Sequence, residues 1–164
     1  MLTQASFLKL NSNLNRGKKM RILVDGDASP VIKIVEEIAE EYDIKLIVFF
    51  DINHNIQLEY GQEIRVDQSF QSVDIEIYNE CEEGDIVITQ DYGLANLVLG
   101  NGAFVLSSTG KRYTDKNIQY LLMKRHLHAR IRRAGGRHQT QKKRTEADDL
   151  RFRKSLKKLI KTIC

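Results

Sequence analysis

Apolar and polar positions along the 164 residues fall into two alternating periods. Short apolar-rich runs stand at Arg21–Val24, Lys45–Phe50, Glu63–Val66, Asp85–Thr89 and Ala103–Leu106. Runs of this length, bounded by glycine and polar residues, read as buried strands. Between them the period lengthens. Val31, Ile34, Val35 and Ile38 recur at helical spacing, with Ser29 placed to cap the helix and Pro30 suited to its first turn. Ser72–Cys81 fits either period: Val73, Ile75 and Ile77 alternate like a strand, while Val73, Ile77 and Cys81 share a helical face. Helix is the better reading, because parallel strands need a crossover between them. Tyr92–Leu99 is a further helix.

The last third changes character. Lys116–Arg133 reads as one long helix, with Ile118, Leu121, Leu122, Leu127 and Ile131 facing inward and Gly135-Gly136 ending it. A basic linker follows over Arg137–Arg144. Thr145 with Asp148 then forms a capping box ahead of a helix that turns Phe152, Leu156, Leu159 and Ile160 inward. Strands alternating with helices predict an α/β fold around a mainly parallel sheet, with a basic helical C-terminal portion at 116–164. One domain is expected over 20–164. Residues 1–19 read as an N-terminal extension, since Met20 directly precedes the first strand.

Charge divides the chain. Residues 1–123 carry 11 Lys/Arg against 19 Asp/Glu, a net of −8; residues 124–164 carry 15 against 3, a net of +12. An acidic body with a basic tail suits a polyanionic partner, with RNA ahead of DNA. A solvated helical surface partly neutralised by the acidic body is the plainer alternative. Only Cys81 and Cys164 are present, neither at metal-ligand spacing, which argues against zinc and a disulfide framework. No run has membrane-spanning length, and a cytoplasmic location with no membrane contact is expected.

Candidate chemistry begins at Ile22-Leu23-Val24-Asp25-Gly26-Asp27. Ligands gather at the carboxyl ends of strands in open α/β sheets. Crowded carboxylates there repel unless a proton or cation neutralises them. Asp91 ends the fourth strand and Asp74 opens the helix after the third, so both fall at the same edge in a right-handed βαβ fold. Asp85 starts its strand, roughly 20 Å from Asp91, and belongs to a turn. Convergence of Asp25, Asp27, Asp74 and Asp91 suits Mg²⁺ or Mn²⁺, which take oxygen ligands and retain water. Taken singly, Asp27 reads as a turn residue and Asp74 and Asp91 as helix caps. Thr89 either bonds a carboxylate or fills its strand. The loop Ser107-Ser108-Thr109-Gly110-Lys111-Arg112 has hydroxyls and cations suited to phosphate. His126 and His128 are two apart on a helix and do not share a face.

The chain from Met20 onward resembles the YaiI/YqxD family, small bacterial proteins related to PIN-like nucleases. Four segments carry the resemblance: Val24-Asp25-Gly26-Asp27-Ala28-Ser29-Pro30-Val31, Gly84-Asp85-Ile86-Val87-Ile88-Thr89-Gln90-Asp91-Tyr92-Gly93-Leu94-Ala95, Leu122-Met123-Lys124-Arg125-His126 and Arg132-Arg133-Ala134-Gly135-Gly136-Arg137. It implies a PIN-like three-layer α/β/α sandwich with acids at one edge. It carries a metal-binding role onto Asp25, Asp74 and Asp91, with Asp27 as a fourth. Two positions depart from the family pattern: Ser29 stands where members commonly have cysteine, and Gln71 where a further acid is expected.

The leading expectation is a Mg²⁺- or Mn²⁺-dependent phosphodiesterase acting on RNA. Asp25, Asp74 and Asp91 would hold the metal, and Asp27 would hold metal or orient water. Lys111, Arg112, Lys124, Arg125, Arg130, Arg132, Arg133 and Arg137 would engage nucleic acid. Two alternatives stand beside it. One is a phosphohydrolase of the haloacid-dehalogenase type, with Asp25 as nucleophile and Asp27 as acid/base. The other is a non-catalytic RNA-binding protein.

Overall fold

The computed structural model describes residues 18–27, 29–136 and 142–164. The elements run β1 (Arg21–Asp25), α1 (Ile32–Glu41), β2 (Lys45–Asp51), β3 (Gln62–Val66), α2 (Val73–Glu80), β4 (Ile86–Ile88), α3 (Tyr92–Gly100), β5 (Phe104–Leu106), β6 (Arg112–Tyr113), α4 (Asp115–Arg133) and α5 (Glu146–Ile163). The strands form one sheet in the order β3-β2-β1-β4-β5-β6. All neighbours are parallel except β5 and β6.

Strand side chains alternate between two buried faces, which is why the central strands read as continuous apolar runs. Ile22, Val24, Leu46, Val48, Phe50, Ile86 and Ile88 pack with α1 and α5 on one face. Leu23, Ile47, Phe49, Val87 and Val105 pack with α2, α3 and α4 on the other. The result is a three-layer α/β/α sandwich, as the period and the resemblance imply. Among the described residues, no helix is long and apolar enough to cross a membrane. Cys81 is buried, and that burial pushes its thiol up to about 12.

The ambiguous segment is helix α2, capped by the Ser72 side chain, which accepts from the Ile75 amide. The capping box at Thr145 and Asp148 is present, and Phe152, Leu156, Leu159 and Ile160 are buried. Three expectations need correction. Helix α1 begins after Val31 with no side-chain cap, so Ser29 does not cap it. Strand β6 was not expected, because two residues are too short to show a period. The inward stripe predicted for α4 holds only in its first half. Ile118 and Leu121 are buried, whereas Leu127 is 48% and Ile131 58% exposed. This helix outruns the layer it packs on: Gln119 Nε2 bonds Asn96 Oδ1 at 3.2 Å, and Arg125 Nη1 lies 3.6 Å from Asp91 Oδ1. Later residues of α4 therefore meet earlier residues of α3. The two helices run antiparallel, and α4 heads toward the carboxyl edge of the sheet. From Arg125 to Arg133 it continues about 12 Å past that level. At its end Gly135 adopts φ +89°, where a side chain is disfavoured.

At the opposite edge Arg21 and Asp85 join the starts of β1 and β4. Arg21 Nη2 lies 2.7 Å from Asp85 Oδ2, and Arg21 Nη1 lies 2.8 Å from Glu80 Oε1. Asp85 also accepts the amides of Arg21 and Glu82, so it serves its turn and the ion pair together. The pair holds the Arg21 guanidinium well above its ordinary value. The connection from β2 to β3 is pinned across β3. Glu63 accepts the Leu58 amide at 2.8 Å, and Arg65 donates to the carbonyls of His54 and Ile56.

Asp85 is 2% exposed. Its replacement by alanine would strand two amides and leave the Arg21 charge with only its glutamate partners, and is expected to cost on the order of 3 kcal/mol, measurable by urea unfolding.

Candidate functional site

The strand order reverses between β1 and β4, so the loops leaving these strands part and open a cleft at their carboxyl ends. Register places Val24 beside Ile88, which brings Asp25 next to Thr89. Thr89 Oγ1 donates to Asp25 Oδ2 at 3.2 Å and accepts the Asp91 amide at 3.0 Å. One hydroxyl thus links the two acids. Asp91 Oδ1 accepts the amides of Gly93 and Leu94 and caps α3, so its capping and site roles coexist.

Gly26 sets the next turn by close approach. Its amide bonds Phe49 O at 2.8 Å, and a Cβ at this position would stand 2.6 Å from the Phe50 ring. The chain hugs β2 and delivers Asp27 to the end of that strand. Asp27 Oδ1 accepts the Asp51 amide at 3.2 Å and lies 3.1 Å from His54 Nδ1. The His54 ring is stacked on Phe50, with centroids 5.9 Å apart. His54 was missed in the sequence, although its place after β2, the neighbour of β1, puts it at the same edge.

The acids feel one another. Burial first, then the charge of Asp74, pushes the Asp25 carboxyl up to about 6; Asp27 and Asp91 add to this and the Thr89 bond opposes it. Asp74 is raised as well, by burial and then by the charge of Asp91 and a side-chain hydrogen bond with it. Asp25, Asp27, Thr89 and Asp91 line a pocket of about 250 Å³ with Ser29, Ile88, Gln90 and Ser108. Asp74 stands beside this pocket and is not part of its lining. A larger groove along α5 is lined by Leu150 and several basic residues and contains no acid. Gln71, at the departure from the family pattern, bonds Glu76 at 2.9 Å.

Among the described residues, no three His, Cys, Asp or Glu side chains are grouped tightly enough to share one ion as direct ligands. The donor set nonetheless fits Mg²⁺ or Mn²⁺. It is all oxygen, and Mg²⁺ is commonly held by one or two carboxylates while keeping several waters. Mutually raised carboxyls are where such a cation would replace bound protons.

The expected nucleic-acid residues do not form one patch. Lys124, Arg125, Arg130, Arg132 and Arg133 are exposed along α4, and Arg125 reaches Asp91. Lys111 is exposed beside the carboxyl edge. The Arg112 guanidinium lies 5.3 Å from the Phe104 ring, nearer the amino end of β5. Arg137 lies outside the described residues.

Fold and site together define an α/β/α protein with a carboxylate-lined cleft at its topological switch point. Residues 23–162 match the family described as "Uncharacterized BCR, YaiI/YqxD family". The chain belongs to that family. Similar relatives are each described as a "UPF0178 protein". That of Clostridium kluyveri is 46% identical over 86% of this chain and 93% of its own length. That of Clostridium novyi is 47% identical, over 86% and 95%, and that of Natranaerobius thermophilus 46%, over 86% and 96%. No solved structure matches the chain.

Two outcomes follow from this geometry. Between the ordinary carboxylate value and about 6, folded Asp25 keeps a proton that the unfolded chain has lost, so stability falls as pH rises through that window. Asp25→Asn removes this cost and is expected to be more stable than the parent by about 2 kcal/mol at about pH 7.5, with the gain shrinking toward about pH 4.5. Urea unfolding at both pH values checks it. Gly26→Ala forces a methyl group into Phe50 and is expected to cost about 1–3 kcal/mol while displacing Asp27, seen as a shifted His54 imidazole resonance.

Proposed function

We propose that this protein is a Mg²⁺- or Mn²⁺-dependent phosphodiesterase acting on nucleic acid, RNA in preference to DNA. The observation that carries the reading is Asp25. A half-buried carboxyl is pressed by three other acids at the switch point, an arrangement that costs stability unless a cation or proton occupies it. Asp25, Asp74 and Asp91 are the residues to hold the ion, directly or through its waters. The ion would neutralise phosphate charge and supply an activated water when bound. Asp27, fixed by the Asp51 amide and His54, orients water at the pocket wall. Thr89 keeps Asp25 aligned with Asp91.

The basic half of α4 supports a polymeric substrate. Arg130, Arg132 and Arg133 extend past the acidic edge and add exposed positive charge for the phosphates of a strand whose scissile group sits at the acids. A second reading has one observation in its favour. The absence of a tight three-ligand group among the described residues suits a non-catalytic RNA-binding protein that uses the same basic helix.

Calorimetric titration of Mn²⁺ is expected to give saturable binding to the wild-type chain and none to Asp25→Asn. RNA hydrolysis is expected to fall by more than about 100-fold in Asp25→Asn, because even outer-shell partners of a metal are worth about 10- to 100-fold. Tight RNA binding with no metal dependence would favour the second reading. Phosphoryl label trapped on Asp25 would point to the phosphohydrolase alternative. Neutralising Arg130, Arg132 and Arg133 together is expected to flatten the salt dependence of RNA binding by roughly 2 in the log–log slope.

A further inference from the structure

The pocket has acidic side chains and side chains of a different kind. Ser29 and Ser108 line it together with the acids. Among the described residues Ser29 Oγ is buried with no hydrogen-bond partner, and its helix-capping role is not taken up. Ser108 is buried as well, at 2% exposed. Behind Ser108 stands Arg144. Its Nη1 donates to the Ser108 carbonyl at 2.8 Å and its Nε to Asp149 Oδ1 at 2.5 Å, while Nη2 is buried with no acceptor among the described residues. Buried donors in native proteins are nearly always satisfied, and exceptions call for an explanation. Here Ser29 Oγ and Arg144 Nη2 are the buried orphans recorded among the described residues, and one serine connects them to the same pocket.

We infer that Ser29, Ser108 and Arg144 form an oxyanion subsite for a phosphoryl group of the substrate. Ser29 and Ser108 are binding residues. The Ser29 hydroxyl can engage a ligand without breaking a hydrogen bond to the described residues. Arg144 is a positioning residue: held by Asp149, it fixes the Ser108 backbone through its carbonyl. The division of labour is chemical. Carboxylates accept a cation and repel phosphate, so the oxygens of a phosphodiester need donors elsewhere in the same pocket. Hydroxyls and a guanidinium supply donors and no negative charge. The inference rests on the phosphodiesterase reading for its ligand, and its test is independent of turnover.

Inorganic phosphate and a short oligoribonucleotide are titrated into the full chain, with and without Mn²⁺, and followed by calorimetry and phosphorus NMR. Ser29→Ala and Ser108→Ala are expected to weaken phosphate binding about three- to tenfold each, the value of a neutral hydrogen bond. Arg144→Lys keeps the charge, loses the planar fork, and is expected to weaken it about tenfold. Ser29→Ala should retain the parental Tm, because its hydroxyl has no partner to lose. Mn²⁺ affinity should be unchanged in all three variants. Phosphate affinity unchanged in all three would overturn the subsite. So would a lowered Tm in Ser29→Ala with phosphate affinity intact, which marks a structural hydroxyl. Absence of phosphate binding to the wild-type chain on the order of ten millimolar, with or without Mn²⁺, would overturn it too. If wild-type binds no Mn²⁺ yet loses phosphate affinity on Ser29→Ala, the subsite stands and the metal-dependent reading fails. Mn²⁺ binding with phosphate insensitive to all three variants gives the reverse.

Discussion

The ion pair between Arg21 and Asp85 sets the register of the two central strands, and the geometry of the cleft depends on that register. Both residues stand at strand starts, with Ile22 beside Ile86 one step further on. A slip by one residue would turn every β4 side chain to the wrong face. It would also carry Thr89 away from Asp25 and dissolve the link to Asp91. The amino ends of β1 and β4 are thus electrostatically closed, with the buried carboxylate matched by a guanidinium and two amides. The carboxyl ends of the same strands are electrostatically open. Asp25 has one hydroxyl donor and three acids around it. Two aspartates four positions apart in register, one buried and one half-buried, have opposite roles because their surroundings differ.

That contrast locates the strain. Stability alone would favour a neutral residue at position 25, and the sheet would lose nothing in packing from the change. Unfavourable charge retained at a topological switch point is a common mark of a working site. Gly26 fits the same reading, since it gives up side-chain packing so that Asp27 can be brought round to β2.

Much of this was legible in the chain. Alternating buried strands and amphipathic helices define the layers. Aspartates at the ends of apolar runs converge because parallel strands put those ends on one edge. Asp85 could be set apart by strand length alone. What escaped notice depends on tertiary contact. His54 lies in an irregular loop with no period, and its link to Asp27 exists only once β2 is beside β1. Ser29 has the residue type and place of a cap, but the helix starts two residues later and leaves the hydroxyl at the pocket. Leu127 and Ile131 continue the helical spacing of Ile118 and Leu121, yet the sheet and α3 end before α4 does. Spacing shows that a helix has an apolar side and does not show how far its neighbour extends.

The connection from β2 to β3 has a consequence beyond the cleft. It presents His54 to Asp27, and it is also tied across the outermost strand through Glu63 and Arg65. β3 ends the sheet, and an unguarded terminal strand is a template for pairing with another chain. One short segment therefore shapes both the cleft and the sheet's edge. A change that loosens it would disturb the cleft and bare the sheet's border in the same event, so damage to the site would arrive together with self-association.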